Sequence, residues 1–184
     1  MDIWLIIVPV LILLVVLIPL FWWIKTSNSF KRRRIKITEA LSGIEVALTK
    51  RFDTLTKLLD VAKGFAAHEK GLFAEVIELR RGMPVEQLRQ AAGQMDALAS
   101  RINVVAEAYP QLRSSEVFRE LQAGIRDAEE HLQAARRLYN SNVTGFNTAL
   151  QVFPSSIVGK AMKLGEAAFF EAEEAKKADV EMRF

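Results

Sequence analysis

Residues 3–24 contain no charged side chain. The run passes from Ile3 and Trp4 through Leu17, Ile18, Phe21, Trp22 and Trp23 to Ile24. As a helix it is roughly 33 Å long, enough to cross a hydrocarbon core about 30 Å thick. A cleaved signal peptide has a basic start, an apolar run of about 7–15 residues and small residues at its end. Here only Met1-Asp2 precedes the run, which is longer and closes on Phe21-Trp22-Trp23. With no Cys in the chain, a lipoprotein anchor is excluded as well. A retained membrane helix over 3–24 is expected, with 1–2 as a short external N-terminus. Pro9 and Pro19 lie inside it, and membrane helices tolerate the mild bend that proline causes.

The flanks set the orientation. Lys25, Lys31, Arg32, Arg33, Arg34 and Lys36 follow the run, and only Asp2 precedes it. Lys and Arg stay on the cytoplasmic side. The N-terminus is therefore expected outside and everything after Lys25 in the cytoplasm, with 25–36 as a basic juxtamembrane segment. Trp22 and Trp23 suit the cytoplasmic interface, where one edge of an amphipathic ring is wet. Beside a membrane helix, the cations are expected to hold anionic lipid.

Net charge is +3 over 184 residues. Residues 1–36 carry six cations and one acid, so residues 37–184 are net −2. The positive charge thus belongs to the membrane edge, which argues against a nucleic-acid partner bound through its phosphates. Absence of Cys removes disulfides, thiol chemistry and Cys-based zinc sites.

Past Lys36 the pattern is helical throughout, and 37–184 reads as one cytoplasmic helical domain. Leu41, Leu48, Leu55 and Ala62 recur every seven residues, and Ile44, Leu58, Phe65, Leu72 and Leu79 supply a second row. Together they form one apolar seam of coiled-coil type on a first long helix ending near Arg81-Gly82. Thr26-Ser27-Asn28-Ser29 is a poor helix former that loosens the junction with the anchor. Arg51 and Glu69 interrupt the seam. Each either reaches out along its aliphatic stem or stays as a buried, partner-fixing charge. A second helix starts at Pro84, carries Leu88, Ala92, Met95, Leu98, Ile102 and Val105, and ends at Tyr109-Pro110. A third follows Ser114 or Ser115 and runs to about Phe153. Its large row is Phe118, Ile125, Leu132, Tyr139, Phe146 and Phe153, read as core packing. Leu121, Ala128, Ala135, Asn142 and Ala149 form a smaller row, in which Asn142 either sets register or turns to water. Pro154 stops this helix, Ser155–Gly165 holds at most one short helical piece, and 166–178 is read as a last helix with Phe169 and Phe170. The expected class is all-α: one N-terminal transmembrane helix, then an antiparallel bundle of three long helices and a shorter C-terminal one.

Leu48-x-Lys50-Arg51-x-Asp53, Leu55-x-x-Leu58-Leu59 and Lys63-Gly64-Phe65-Ala66-x-His68-Glu69 together resemble the first long helix of the LemA family of bacterial proteins. Val105-Ala106-Glu107-Ala108-Tyr109-Pro110, Ala134-Ala135-Arg136-Arg137-x-Tyr139-Asn140, Phe146-Asn147, Phe153-Pro154, Phe169-Phe170-Glu171-Ala172 and the final Phe184 follow in the family's order. One departure is Thr56-Lys57, where the family usually has Pro-Asn. The resemblance implies an N-terminal anchor, an outside N-terminus and a helical bundle, and it brings no established activity.

No chemistry is legible in the residues. His68-Glu69 lacks the second His of H-E-x-x-H, and His131 after Glu129-Glu130 has no His four residues on. No Gly-rich loop follows a strand, and no Ser sits in G-x-S-x-G. Arg136-Arg137 beside Tyr139 and the Glu173-Glu174 pair read as helix faces. No catalytic residue, cofactor or metal is expected. Helix lengths suggest one interaction surface. A second helix folded back from residue 82 covers the first only to about residue 56 at 1.5 Å per residue, leaving Ile37, Leu41, Ile44 and Leu48 without a partner. Unpartnered apolar stripes mark interfaces, so these four are expected to self-associate into a parallel homo-oligomer. The function this supports is a membrane-anchored cytoplasmic scaffold or adaptor of the bacterial inner membrane, with an unidentified protein partner. An accessory regulator of a membrane protease or kinase, or a membrane-remodelling protein, is the alternative.

Overall fold

The computed structural model describes residues 4–65 and 82–170. Leu72, Leu79, His68, Glu69, Glu173, Glu174, Phe184 and most of the expected last helix lie outside them. The described residues hold five helices and no strand: α1 Trp4–Phe65, α2 Val85–Ala108, α3 Pro110–Ser114, α4 Glu116–Gln151 and α5 Ser155–Ala161.

α1 is a single helix of 62 residues. It runs unbroken through Pro9, Pro19, Thr26–Ser29 and Thr56-Lys57, so the expected loosening after the apolar run does not occur. Helix propensity at four residues amounts to a few tenths of a kcal/mol each. That is small against the packing of the neighbouring Phe30, which is 2% exposed. From Ile7 to Ile18 every large apolar side chain is 46–65% exposed. Nothing in the described chain covers them.

The fold divides into two units. The first joins α1 up to Thr38 with Ser141–Ala167. Its core is Phe30, Phe146 and Val158, with Trp22, Ile37, Leu150, Met162 and Leu164 packed around it. The Phe30 and Phe146 rings meet edge to face at 6.0 Å, a favoured arrangement for aromatic quadrupoles. Arg33 pairs with Gly145 and Lys36 with Asn142. The number rises on α1 as it falls on α4, so within this unit the two helices run antiparallel.

The second unit joins α1 from Glu39, α2, α3 and α4 to Asn140. Leu48, Leu55, Leu58, Leu88, Met95, Ile102, Leu112 and Leu132 are fully buried in it. Lys50 pairs with Asp127, and a Cβ placed on Gly124 would lie 3.3 Å from Thr54 Cγ2, so α1 and α4 are antiparallel here too. α2 departs from expectation. The Gly82 amide donates to Glu45 Oε1 at 3.1 Å, and Asp96 pairs with Arg51. Both numbers rise together, so α2 runs parallel to α1, not folded back along it. Residues 66–81, over which the first helix is expected to continue, lie outside the described residues.

Two expectations at the C-terminal side are corrected. Leu164–Phe170 is not helical. Ala and Glu there favour helix, but asparagine side chains take the backbone instead. In the first unit Asn147, 7% exposed, donates to Ala167 O and accepts from Ala167 N, both at 2.9 Å. In the second unit Asn140 does the same with Phe170, at 3.1 and 2.8 Å. Tyr139 Oη adds a bond to Ala168 O at 2.9 Å, and burial pushes its phenol above the ordinary value. Phe153 is the second correction. The seven-residue row holds through Phe118, Leu132, Tyr139 and Phe146, each 4% exposed or less, but Phe153 is 77% exposed. α4 ends at Gln151, so the helical period no longer applies two residues on.

Candidate membrane-interface site

On α1, Trp22, Thr26, Ser29, Arg33 and Lys36 recur at steps of three and four, which places them along one face. In the first unit that face meets α4. Two cavities lie there. A basic one of about 320 Å³ is lined by Ser29, Arg32, Arg33, Lys36, Ser141, Asn142 and Gly145. A more apolar one of about 310 Å³ is lined by Trp22, Lys25, Thr26, Phe30, Ala149 and Ser155, with Ser29 and Arg33 shared. Arg33 therefore stands between them, its Nη1 donating to Gly145 O at 2.9 Å. Asn142, which sequence left open between register and water, donates to Lys36 O at 3.3 Å.

Of the eight residues expected at the lipid interface, the structure brings Arg32, Arg33 and Lys36 into one cavity and Trp22 and Lys25 into the other. Lys31 and Arg34 are exposed and line neither, and Trp23 is 39% exposed. No acidic side chain lines either cavity. Three cations beside Ser and Asn donors suit an oxyanion such as a phosphate, which Arg can take with two parallel N–H bonds.

The four residues expected to self-associate are differently placed. Ile44 and Leu48 are 0% exposed, and Ile37 and Leu41 are half-buried. Ile37 packs on the Phe30 core. Near Ile44, a Cβ on Gly43 would lie 4.0 Å from Ala135 of α4. The premise that this stripe lacks a partner within the chain does not hold, because α2 starts lower and α4 reaches farther than helix lengths implied.

In the second unit Arg51 is a buried charge, not a solvated one. Its Nη2 lies 2.5 Å from Asp96 Oδ1 and its Nη1 3.2 Å from Glu129 Oε2, so one α1 side chain joins α2 and α4. Arg136, over the Phe170 ring at 5.0 Å, has its pKa lowered by burial while Glu129 and Asp96 oppose the shift. His131 is exposed, with Nδ1 2.8 Å from Asp127 O. The Asp127 carboxyl is held below its usual range by Lys50.

Sequence reasoning did not give Asn140 and Asn147 a role. The signal was present: an aromatic followed by Asn occurs at Tyr139-Asn140 and again seven residues on at Phe146-Asn147. An aromatic turned inward leaves the next position at the edge of the packed face, where an amide can reach a neighbouring backbone.

Comparison with known proteins covers this part of the chain. The family model described as LemA family matches residues 40–184, which contain both aromatic–Asn pairs and the Arg51 cluster. Protein LemA of Metamycoplasma hominis is 26% identical over 170 residues, covering 88% of this chain and 76% of that protein. A family match over residues 40–184, most of the length, places the chain in the LemA family.

Proposed function

We propose that the chain is a membrane-anchored helical adaptor, with its N-terminus outside and the helices after Lys25 in the cytoplasm of a bacterial cell. The observation that carries this is the bare apolar length of α1 from Ile7 to Phe21, followed closely by a basic segment. Left in water, that surface far exceeds the patches of a few hundred Å² that soluble monomers tolerate. In lipid it is matched. An adaptor, not an enzyme in its own right, is the reading these features support. The Arg51 cluster and the asparagine pairs join elements of the chain, and both cavities draw their α1 lining from the end of the apolar run and the basic segment after it. Self-association through Ile37, Leu41, Ile44 and Leu48 is not part of it, since that stripe is spent within the chain.

The test is purification of the full-length chain from native membranes in mild detergent, with sizing by mass photometry and identification of what travels with it. An adaptor predicts assemblies with partners in fixed ratio and no dependence on one enzyme. A single stoichiometric protease or kinase, whose activity changes when the chain is removed, would make it an accessory regulator instead.

A further inference from the structure

The α4–α5 corner is the exposed apolar surface that the anchor does not explain. Val152 is 53%, Phe153 77% and Ile157 50% exposed, and Phe153 is barer than any described side chain of the apolar run. These three sit within six residues, joined by Pro154, while Val158 beside them is fully buried. The corner's height along α1 follows from pairings inside the first unit. Asn142 lies at Lys36, Gly145 at Arg33 and Phe146 at Phe30. Continuing down, Ala149 and Ser155 line a cavity with Trp22, Lys25 and Thr26. Val152 and Phe153 therefore stand at the level of the Trp22-Trp23 pair, where the apolar run gives way to cations. Charge points the same way. This unit carries eight Lys or Arg and only Asp2 and Glu166 as acids. Lys160 and Lys163 flank the corner, and no Asp or Glu occurs from His131 to Gly165.

We propose that this corner is a second membrane contact, dipping Val152, Phe153 and Ile157 into the interface of the leaflet that the basic segment faces. It rests on the anchored reading above. Apolar side chains ringed by Lys are the composition of interfacial anchors, which bury about 5–10 Å deep at the headgroup–acyl boundary and favour anionic lipid. The contact has a consequence for the anchor. A lone transmembrane helix is free to rotate about its own axis, and a second insertion point beside it fixes which face of α1 looks along the bilayer. The two cavities around Arg33 would then open at headgroup level, with the apolar one nearer the acyl chains.

The chain has no Cys, so single sites can be labelled in the full-length protein. Leu13→Cys, Thr38→Cys, Phe153→Cys and Ile157→Cys would each carry an environment-sensitive fluorophore in vesicles of phosphatidylcholine and phosphatidylglycerol, after circular dichroism shows unchanged helicity. Positions 153 and 157 are expected to be quenched by lipid bearing a shallow nitroxide roughly threefold more than position 38, and less by aqueous iodide. If Leu13 is in lipid but 153 and 157 respond to iodide like 38, the corner proposal is wrong and the anchor stands. If Leu13 also responds to iodide, the anchored reading fails first. Shielding of 153 and 157 from both quenchers would mean that protein, such as a second copy of the chain, covers the corner, which also overturns the proposal.

Discussion

Arg51→Ala is expected to lower the stability of the full chain by about 2–3 kcal/mol, measured by urea unfolding in detergent micelles. Breaking a buried ion pair by removing one partner typically costs about 3–5 kcal/mol. The figure is reduced here because the Asp96 and Glu129 side chains remain 29% and 34% exposed and water screens them. Two carboxylates from α2 and α4 would be left facing each other across the space the guanidinium filled. Replacing the cluster as a whole, with Arg51→Met, Asp96→Leu and Glu129→Leu, is expected to recover most of the loss, since a packed apolar set of similar volume is often neutral or better. If the single and triple variants unfold alike, the cluster owes its effect to shape and not to charge. Lys50→Ala, which breaks a pair half open to solvent, is expected to change stability little.

The second large effect lies in the asparagine pairs. Asn147→Ala leaves the N–H and C=O of Ala167 without their partner, and each backbone group left unpaired costs roughly 1–3 kcal/mol. A loss of about 2–4 kcal/mol is expected, with tryptic cleavage at Lys163 becoming fast while α4 stays helical. Asn140→Ala should act similarly at Phe170, which is 3% exposed. Asn147→Asp keeps the acceptor for Ala167 N but sets a carboxylate against Ala167 O, so it should fall no better than Ala. Tyr139 adds a pH signature. Its folded pKa is raised, so its contribution is complete below the unfolded value near 10 and is lost as pH rises through the folded one. Unchanged cleavage at Lys163 in both alanine variants would show that side-chain packing, not amide pairing, holds Leu164–Phe170.

Much of this architecture was legible in the sequence, and the misreadings have physical causes. The apolar run, the basic flank, the end of α2 at Tyr109-Pro110 and the close of α4 before Pro154 all come from local rules about charge and proline. The direction of α2 does not, because it depends on where the chain stands by Gly82, and residues 66–81, which carry Leu72 and Leu79 of the apolar row, lie outside the described residues. Phe153 kept the seven-residue period after the helix that gives the period meaning had stopped. Leu164–Phe170 has helix-forming composition, yet two side-chain amides outcompete intrahelical bonds, which is tertiary context overriding propensity. Arg51 reads equally as a solvated or a buried charge until Asp96 and Glu129 are seen to come from other helices. At the interface site the cations were legible as a cluster. Which of them share a cavity depends on α4, more than one hundred residues away along the chain.

A membrane-anchored adaptor requires α1 to cross the bilayer with its cations inside, and labelling from the two sides of intact cells tests that most directly. Asp2→Cys and Thr38→Cys variants of the full-length chain would be exposed to a membrane-impermeant maleimide before and after permeabilisation. The expected result is labelling of position 2 in intact spheroplasts, labelling of position 38 only once the membrane is opened, and retention of both variants in the membrane after alkaline carbonate. Labelling of position 38 from outside, or release of the chain by carbonate, would contradict it.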